Sequence, residues 1–201
     1  MQNKPAEAVV FLEGAIGEDP GKVILWLYLG IVYEQLGRTD EAIAVYRRIL
    51  PAAGSLSANV AHNLGNLYFQ RGNTGEAERF YSQAIGFDSV FSKAYLGRAN
   101  RRINAGNLRD AVTDYEQYLT LEPRSSQRVN IEQLVSLIRA EFAATEIRRI
   151  MAEEEERGLA EERQRLLDSV SAALQSSAEY SRSISSGAET VEGYEGEFEL
   201  E

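Results

Sequence analysis

The apolar positions of this chain fall at helical spacing, stop at a glycine, and start again. In Trp26-Leu-Tyr-Leu-Gly30-Ile-Val-Tyr33, residues Trp26, Leu29, Gly30 and Tyr33 share one face of a helix. Gly37 follows, suited to the left-handed turn that ends a helix. Thr39-Asp-Glu-Ala42-Ile then opens a second helix, with Thr39 or Asp40 expected as N-cap and early acids matching the helix dipole. The same succession returns twice. Gly37, Gly72 and Gly106 share their two intervals, 35 then 34 residues, with Ala42, Ala77 and Ala111. Tyr46, Tyr81 and Tyr115 stand four residues after each alanine. Counting back from Ala42 gives Ala8, Leu12 and Ala15 as the second half of an earlier unit, and Pro20 and Pro123 close the first and last units. The pattern predicts antiparallel helix pairs, brought close by small residues at Gly30, Gly65 and Ala99. Units of this size cannot bury their own apolar faces, so neighbours must stack into a solenoid.

These columns resemble the tetratricopeptide repeat: Trp26-x-x-Leu29-Gly30-x-x-Tyr33, Gly37, Ala42, Tyr46 in one copy, with Leu64-Gly65-x-x-Tyr68, Gly72, Ala77, Tyr81, Ala84 and Tyr95, Ala99, Gly106, Ala111, Tyr115, Pro123 in the others. The resemblance divides residues 1–124 into a half copy at 4–20 and full copies at about 23–56, 58–91 and 92–125. It departs from the family where Ile49 and Tyr118 replace a small residue, Arg102 replaces a tyrosine, and Gly54 and Ser89 stand for proline. The resemblance implies an all-α, right-handed superhelical solenoid whose first helices line a concave, peptide-binding groove. Carried over by position, the groove holds Asn59, His62, Asn63, Asn66, Phe69, Gln70, Lys93, Asn100 and Asn104. Its amides can hydrogen-bond the backbone of an extended peptide. Ile24, Leu27 and Ile31 form a second group that serves either as a hydrophobic anchor or as core, and Arg98 and Arg101 are candidates to receive an acidic peptide. The family's carboxylate clamp for chaperone C-termini is matched at Asn63 and Lys93, but Leu27 and Ile31 replace the lysine and asparagine of its first unit, which disfavours a chaperone-tail adaptor.

Beyond the repeats, Ile131, Leu134, Val135, Ile138 and Phe142 make one apolar stripe, expected as a capping helix at 126–145. A charged helical extension is expected at 146–175, with Glu153/Arg157 and Glu161/Arg165 at favourable four-residue spacing and a short strip at Leu166, Leu167, Val170 and Leu174. From 176 to 201 the Ser/Gly-rich, acidic composition predicts a disordered tail, ending in alternating acid and apolar residues from Val191.

Charge sharpens that division. Residues 1–151 hold 17 basic and 17 acidic side chains, whereas 152–201 hold 4 arginines against 14 acids, so the whole net charge of −10 lies in the last quarter. A neutral solenoid with an acidic arm argues against nucleic acid as partner, despite the cluster Lys93, Arg98, Arg101, Arg102 and Arg109. With no cysteine and one histidine, His62, neither a metal site nor a nucleophilic triad can be assembled, and no cofactor or enzymatic activity is expected. No apolar run is long enough to span a membrane. A cytoplasmic location is the default expectation, with tethering or export open if a segment precedes the half copy. The functional expectation is a scaffold or adaptor binding a protein or peptide partner in the groove; a self-assembling subunit forming a homo-oligomer is the runner-up, and RNA binding ranks below both.

Overall fold

The computed structural model describes residues 5–188, with side chains to residue 183. The helices are α1 (Pro5–Glu18), α2 (Val23–Gln35), α3 (Thr39–Ile49), α4 (Ser57–Gln70), α5 (Thr74–Phe87), α6 (Ser92–Asn104), α7 (Leu108–Leu121) and α8 (Arg128–Ala188). Two compact units divide the chain between residues 140 and 141. In the first, helices pair in sequence order, α2 with α3, α4 with α5 and α6 with α7, while α1 packs on α2. This is the all-α solenoid that the repeated columns demand.

The pairing glycines adopt left-handed backbone: φ is +70° at Gly37, +72° at Gly72 and +76° at Gly106. Each closes its helix by the same two bonds. After α2, Gly37 N–H donates to Glu34 O and Arg38 N–H to Tyr33 O, and the pattern repeats at Gly72/Asn73 and Gly106/Asn107. A residue with a Cβ would be strained there, which is why glycine marks the turn. The next helix starts two residues later. Asn73 caps α5 with its side chain, accepting from the Glu76 N–H at 3.2 Å. The expected cap at Thr39 or Asp40 is not made: α3 already includes Thr39, and the cap position belongs to Arg38, whose side chain makes no capping bond. The extra residue in the first interval falls between α3 and α4, where two 3-10 turns, Leu50–Ala52 and Gly54–Leu56, join the repeats, and Gly54 has φ +57°.

The tyrosine column occupies the helix crossings. Tyr46 and Tyr81 are 0% and 1% exposed and Tyr115 is 4%. Tyr81 lies between two glycines: a Cβ on Gly65 would stand 2.7 Å from its ring, and one on Gly97 2.6 Å. The core runs from Val9 and Ile16 on α1 through Leu29, Tyr33, Val45, Leu64, Leu67 and Phe80 to Tyr81. Each buried aliphatic or aromatic side chain there contributes about 1.5–3 kcal/mol by leaving water.

In the third repeat the core changes character. Leu29 and Leu64 give way to Arg98, Tyr33 and Tyr68 to Arg102, and Val45 and Phe80 to Asp114. The Asp114 carboxylate is 3% exposed and accepts from Arg98 Nε at 2.9 Å, Arg98 Nη2 at 2.7 Å and Arg102 Nη1 at 2.8 Å. Glu78 on α5 binds Arg101 at 2.6 Å and Arg102 at 3.0 Å, tying the second repeat to the third. Three apolar columns have been exchanged together for one ion-paired group, so charge is not left unpaired in the interior.

Ile131, Val135 and Ile138 of α8 are buried within the first unit, and Arg139 pairs with Glu116 of α7. The second unit holds the remainder of α8, whose side chains as far as residue 183 are exposed apart from half-buried Phe142. The expected change of element near residue 146 does not occur. α8 continues without a break, supported by pairs such as Arg149 with Glu146 at 2.6 Å and Arg149 with Glu153 at 2.5 Å. It also runs through 176–188, which the sequence had suggested as disordered tail. The acidic motif from Val191 lies outside the described residues.

Candidate functional site

The first helices α2, α4 and α6 carry the residues that the repeat register assigns to the groove. Along α4, Asn59, His62, Asn63, Asn66 and Phe69 are half-buried and Gln70 is exposed; along α6, Lys93, Asn100 and Asn104 are exposed. α4 and α6 touch each other as well as their own partners, so these two rows are neighbours.

The amides are oriented from below by the tyrosine column. Tyr81 O–H donates to Asn66 Oδ1 at 2.8 Å, and Tyr115 O–H donates to Asn100 Oδ1 at 2.7 Å. Each tyrosine engages the amide oxygen and leaves the Nδ2 group as the free end. Burial raises both tyrosine hydroxyls, Tyr81 to about 12, which keeps them protonated donors at neutral pH. In the first repeat the corresponding position is Ile31, and Tyr46 is rerouted. Its O–H donates to the Glu34 carboxylate, and its oxygen accepts from Asn63 Nδ2 at 3.1 Å. Burial raises the Glu34 carboxyl, while the Tyr46 bond opposes that shift.

Asn63 is therefore engaged inside the protein, bonded to Tyr46 and 3.4 Å from His62 Nδ1. His62 packs its ring near Tyr81 and Phe91, with centroids 5.9 and 5.6 Å apart. Burial lowers its affinity for a proton, Asn63 opposes that effect, and the charge on Lys93 adds to it. His62 is thus a packed side chain held toward its neutral form.

The apolar group divides. Leu27 is only 6% exposed and belongs to the core, while Ile24 and Ile31 are half-buried and pack against that core. Leu27 is withdrawn from the role of anchor because α2 buries it in the core with Val9 and Ile16 of α1. The exposed aromatic is Tyr28, at 51%, in the same register column as Asn63 and Gly97. Sequence reasoning passed over it, although its column was the signal.

The basic patch is corrected too. Arg98 and Arg101 are not presented to a ligand: Arg98 is committed to Asp114 and Ser82, and Arg101, 8% exposed, to Glu78 and the Thr74 carbonyl. Burial, the largest single influence, would lower Arg98, but the hydrogen bond to Asp114 and that carboxylate's charge together outweigh it and hold the guanidinium more firmly protonated than usual. Arg102 is held by the same two acids, which removes three members of the cluster that had suggested RNA. Among the described residues, no group of acids and histidine gathers that could hold a metal ion, and no helix is long and apolar enough to cross a membrane.

Comparison with known proteins agrees with this architecture. The family profile described as tetratricopeptide repeat matches residues 23–89. RNA polymerase II-associated protein 3 of Mus musculus is 33% identical over 118 residues, covering 59% of this chain and 18% of that protein; the Homo sapiens protein is 32% identical over the same length. The chain thus spans less than a fifth of the length of these curated relatives. Among solved structures, the first TPR of Spaghetti (RPAP3), bound to the HSP90 peptide SRMEEVD, superposes with a TM-score of 0.55 at 28% identity, covering 59% of this chain and 96% of that one. MamA gives a TM-score of 0.58 at 21% identity, over 67% of this chain and 77% of that one, a likeness of fold. Register, glycine-closed turns and tyrosine crossings agree with these matches: residues 23–89 match the tetratricopeptide repeat, and the pair α6 and α7 repeats the same pattern.

Proposed function

We propose that the chain is a protein-interaction adaptor that holds a partner peptide in the groove formed by α2, α4 and α6. The observation that carries the reading is the row of amides along α4 and α6: among the described residues, the side chains of Asn59, Gln70 and Asn104 take no hydrogen-bond partner, and Asn66 and Asn100 are held by tyrosines through their oxygens, with no partner on Nδ2. Uncommitted amides fixed on rigid helices suit main-chain recognition, because they require no particular partner side chain. The 28%-identical relative solved with a peptide supports the same use of the fold.

The groove is not built as a clamp for a free carboxyl terminus. Leu27 and Ile31 stand where the first unit's lysine and asparagine would be, and Asn63 is already bonded to Tyr46. Lys93 is the single cation among the assigned groove residues. A cytoplasmic setting and a protein partner, without nucleic acid, cofactor or catalysis, complete the proposal.

The test is affinity capture with the full chain against Asn59/Gln70/Asn104→Ala. These side chains support nothing internally, so the variant is expected to keep its circular dichroism spectrum and lose its partners. Partners retained by the folded variant would move the function away from the groove.

A further inference from the structure

The part of α8 in the second unit carries an apolar stripe that none of the described residues covers. Leu159, Leu167, Val170 and Leu174 are each at least half exposed. At about 100° per residue, Glu156, Leu159, Ala160, Arg163, Leu167 and Val170 fall within one ~100° arc of the helix, and Leu174 continues it. Two of these positions are charged. Elsewhere on the segment an arginine finds acids on its own helix, as Arg149 does at Glu146 and Glu153. Arg163 cannot, because its neighbours three and four residues away are Leu159, Ala160, Leu166 and Leu167. Glu156 likewise stands among Ala152, Glu153, Leu159 and Ala160. Each is a charge set in an apolar stripe without a counter-ion at helical spacing. A shallow hollow lies over Ala160, walled by Glu156, Leu159, Arg163 and Leu167.

Reversing the helix makes this stripe its own complement. Glu156 and Arg163 lie equally far on either side of the point between Leu159 and Ala160. In a second copy running antiparallel about that point, Glu156 of each chain faces Arg163 of the other. Leu159 then faces the hollow at Ala160, and Ala152 faces Leu167. A parallel pair in register instead sets Glu156 against Glu156 and Arg163 against Arg163. An antiparallel pair centred between Leu166 and Leu167 gathers more leucine, but leaves Arg163 against Val170 and Glu156 against Ser177, charges without partners at the seam. We propose that α8 joins two copies of this chain as an antiparallel helix pair, centred between Leu159 and Ala160 and closed by two Glu156–Arg163 ion pairs. The contact uses no groove residue, so it adds to the adaptor reading without depending on it. Two chains joined this way carry two grooves.

The experiment is sedimentation equilibrium of the full chain over a dilution series, where a monomer–dimer exchange is expected. E156R and R163E each set like charges face to face, and should raise the dimer dissociation constant at least about tenfold. E156R/R163E on one chain restores both pairs with their signs reversed, and should return the constant to within about threefold of the parent. In a parallel pair E156R would only exchange one like pair for another and change little. The chain has no cysteine of its own, so A152C and L167C chains can be mixed under oxidation. Disulfides are expected between the two different chains and not between identical ones. Every substituted side chain is exposed, so the repeats should melt as in the parent. Any of four results would overturn the proposal: a parent monomeric at every concentration, single reversals that dimerise as the parent does, a double reversal as weak as the singles, or cross-links only between identical chains. None of them touches the groove, which its own amide variant tests.

Discussion

Removing the Asp114 carboxylate separates two accounts of the third repeat. In Asp114→Ala, Arg98 loses its bidentate partner and keeps only Ser82, and Arg102 keeps only Glu78 and the Asp110 carbonyl. Both guanidinium groups are about five-sixths buried, with side-chain exposures of 16%. Breaking a buried pair from one side costs about 3–5 kcal/mol, because the remaining charge is left uncompensated. That is a large share of the ~5–15 kcal/mol by which domains of this kind are stable. The triple variant Arg98→Leu, Arg102→Tyr, Asp114→Phe instead restores the side chains of the second repeat at the same three columns. Exchanging a whole buried ion group for packed apolar residues is neutral or stabilising by up to about 4 kcal/mol, so this variant should unfold at or above the parent's midpoint. The assay is urea unfolding followed by far-ultraviolet circular dichroism, with the midpoint and slope fitted together. A loss below about 1 kcal/mol in Asp114→Ala, or a triple variant less stable than that single one, would refute the view that charge here replaces packing column for column.

Gly65→Ala and Gly97→Ala should each cost about 1–3 kcal/mol by overpacking, since the new methyl stands 2.7 or 2.6 Å from the Tyr81 ring, and Tyr81→Val should recover part of the loss in a Gly65→Ala background. Thermal melts of the three proteins decide it; an unchanged Gly65→Ala midpoint would mean the ring has room to move. His62 gives a pH dependence of defined sign. Its folded affinity for protons is lowered, so the unfolded chain binds the proton first, and stability is full above about pH 6.5 and falls as pH drops below it. Melting temperatures between pH 7.5 and 5.5 should decline less steeply in His62→Phe than in the parent, and parallel profiles would show that His62 is not the group responsible.

Much of the fold was legible because the repeat writes each constraint three times. Gly37, Gly72 and Gly106 announce left-handed turns by composition alone, and the tyrosine column announces its crossings by spacing. The groove was legible only as a row of positions. That Asn63 donates its Nδ2 to Tyr46 while Asn66 and Asn100 accept from their tyrosines goes with Ile31, which stands in the column where the other two repeats supply the tyrosine's amide partner. Arg98 looked like part of a surface cluster because its meaning lies in Asp114, sixteen residues away, where an acid occupies a column filled elsewhere by Val45 and Phe80. The continuity of α8 was hidden by composition: apolar stripe, charged run and serine-rich segment look like three elements, but none contains a proline, and Gly158 alone does not stop the helix.

The joint at Leu50–Leu56 has a consequence for how such arrays change length. It absorbs one residue beyond the 34-residue period in two short turns, and Gly54, exposed and left-handed there, meets nothing where a Cβ would point. A search demanding a strict period would lose step at this joint, yet the helices on either side keep their tyrosine crossings. A gene encoding such units can therefore duplicate or delete one with ragged ends at the boundary, and the copied helices still find their places.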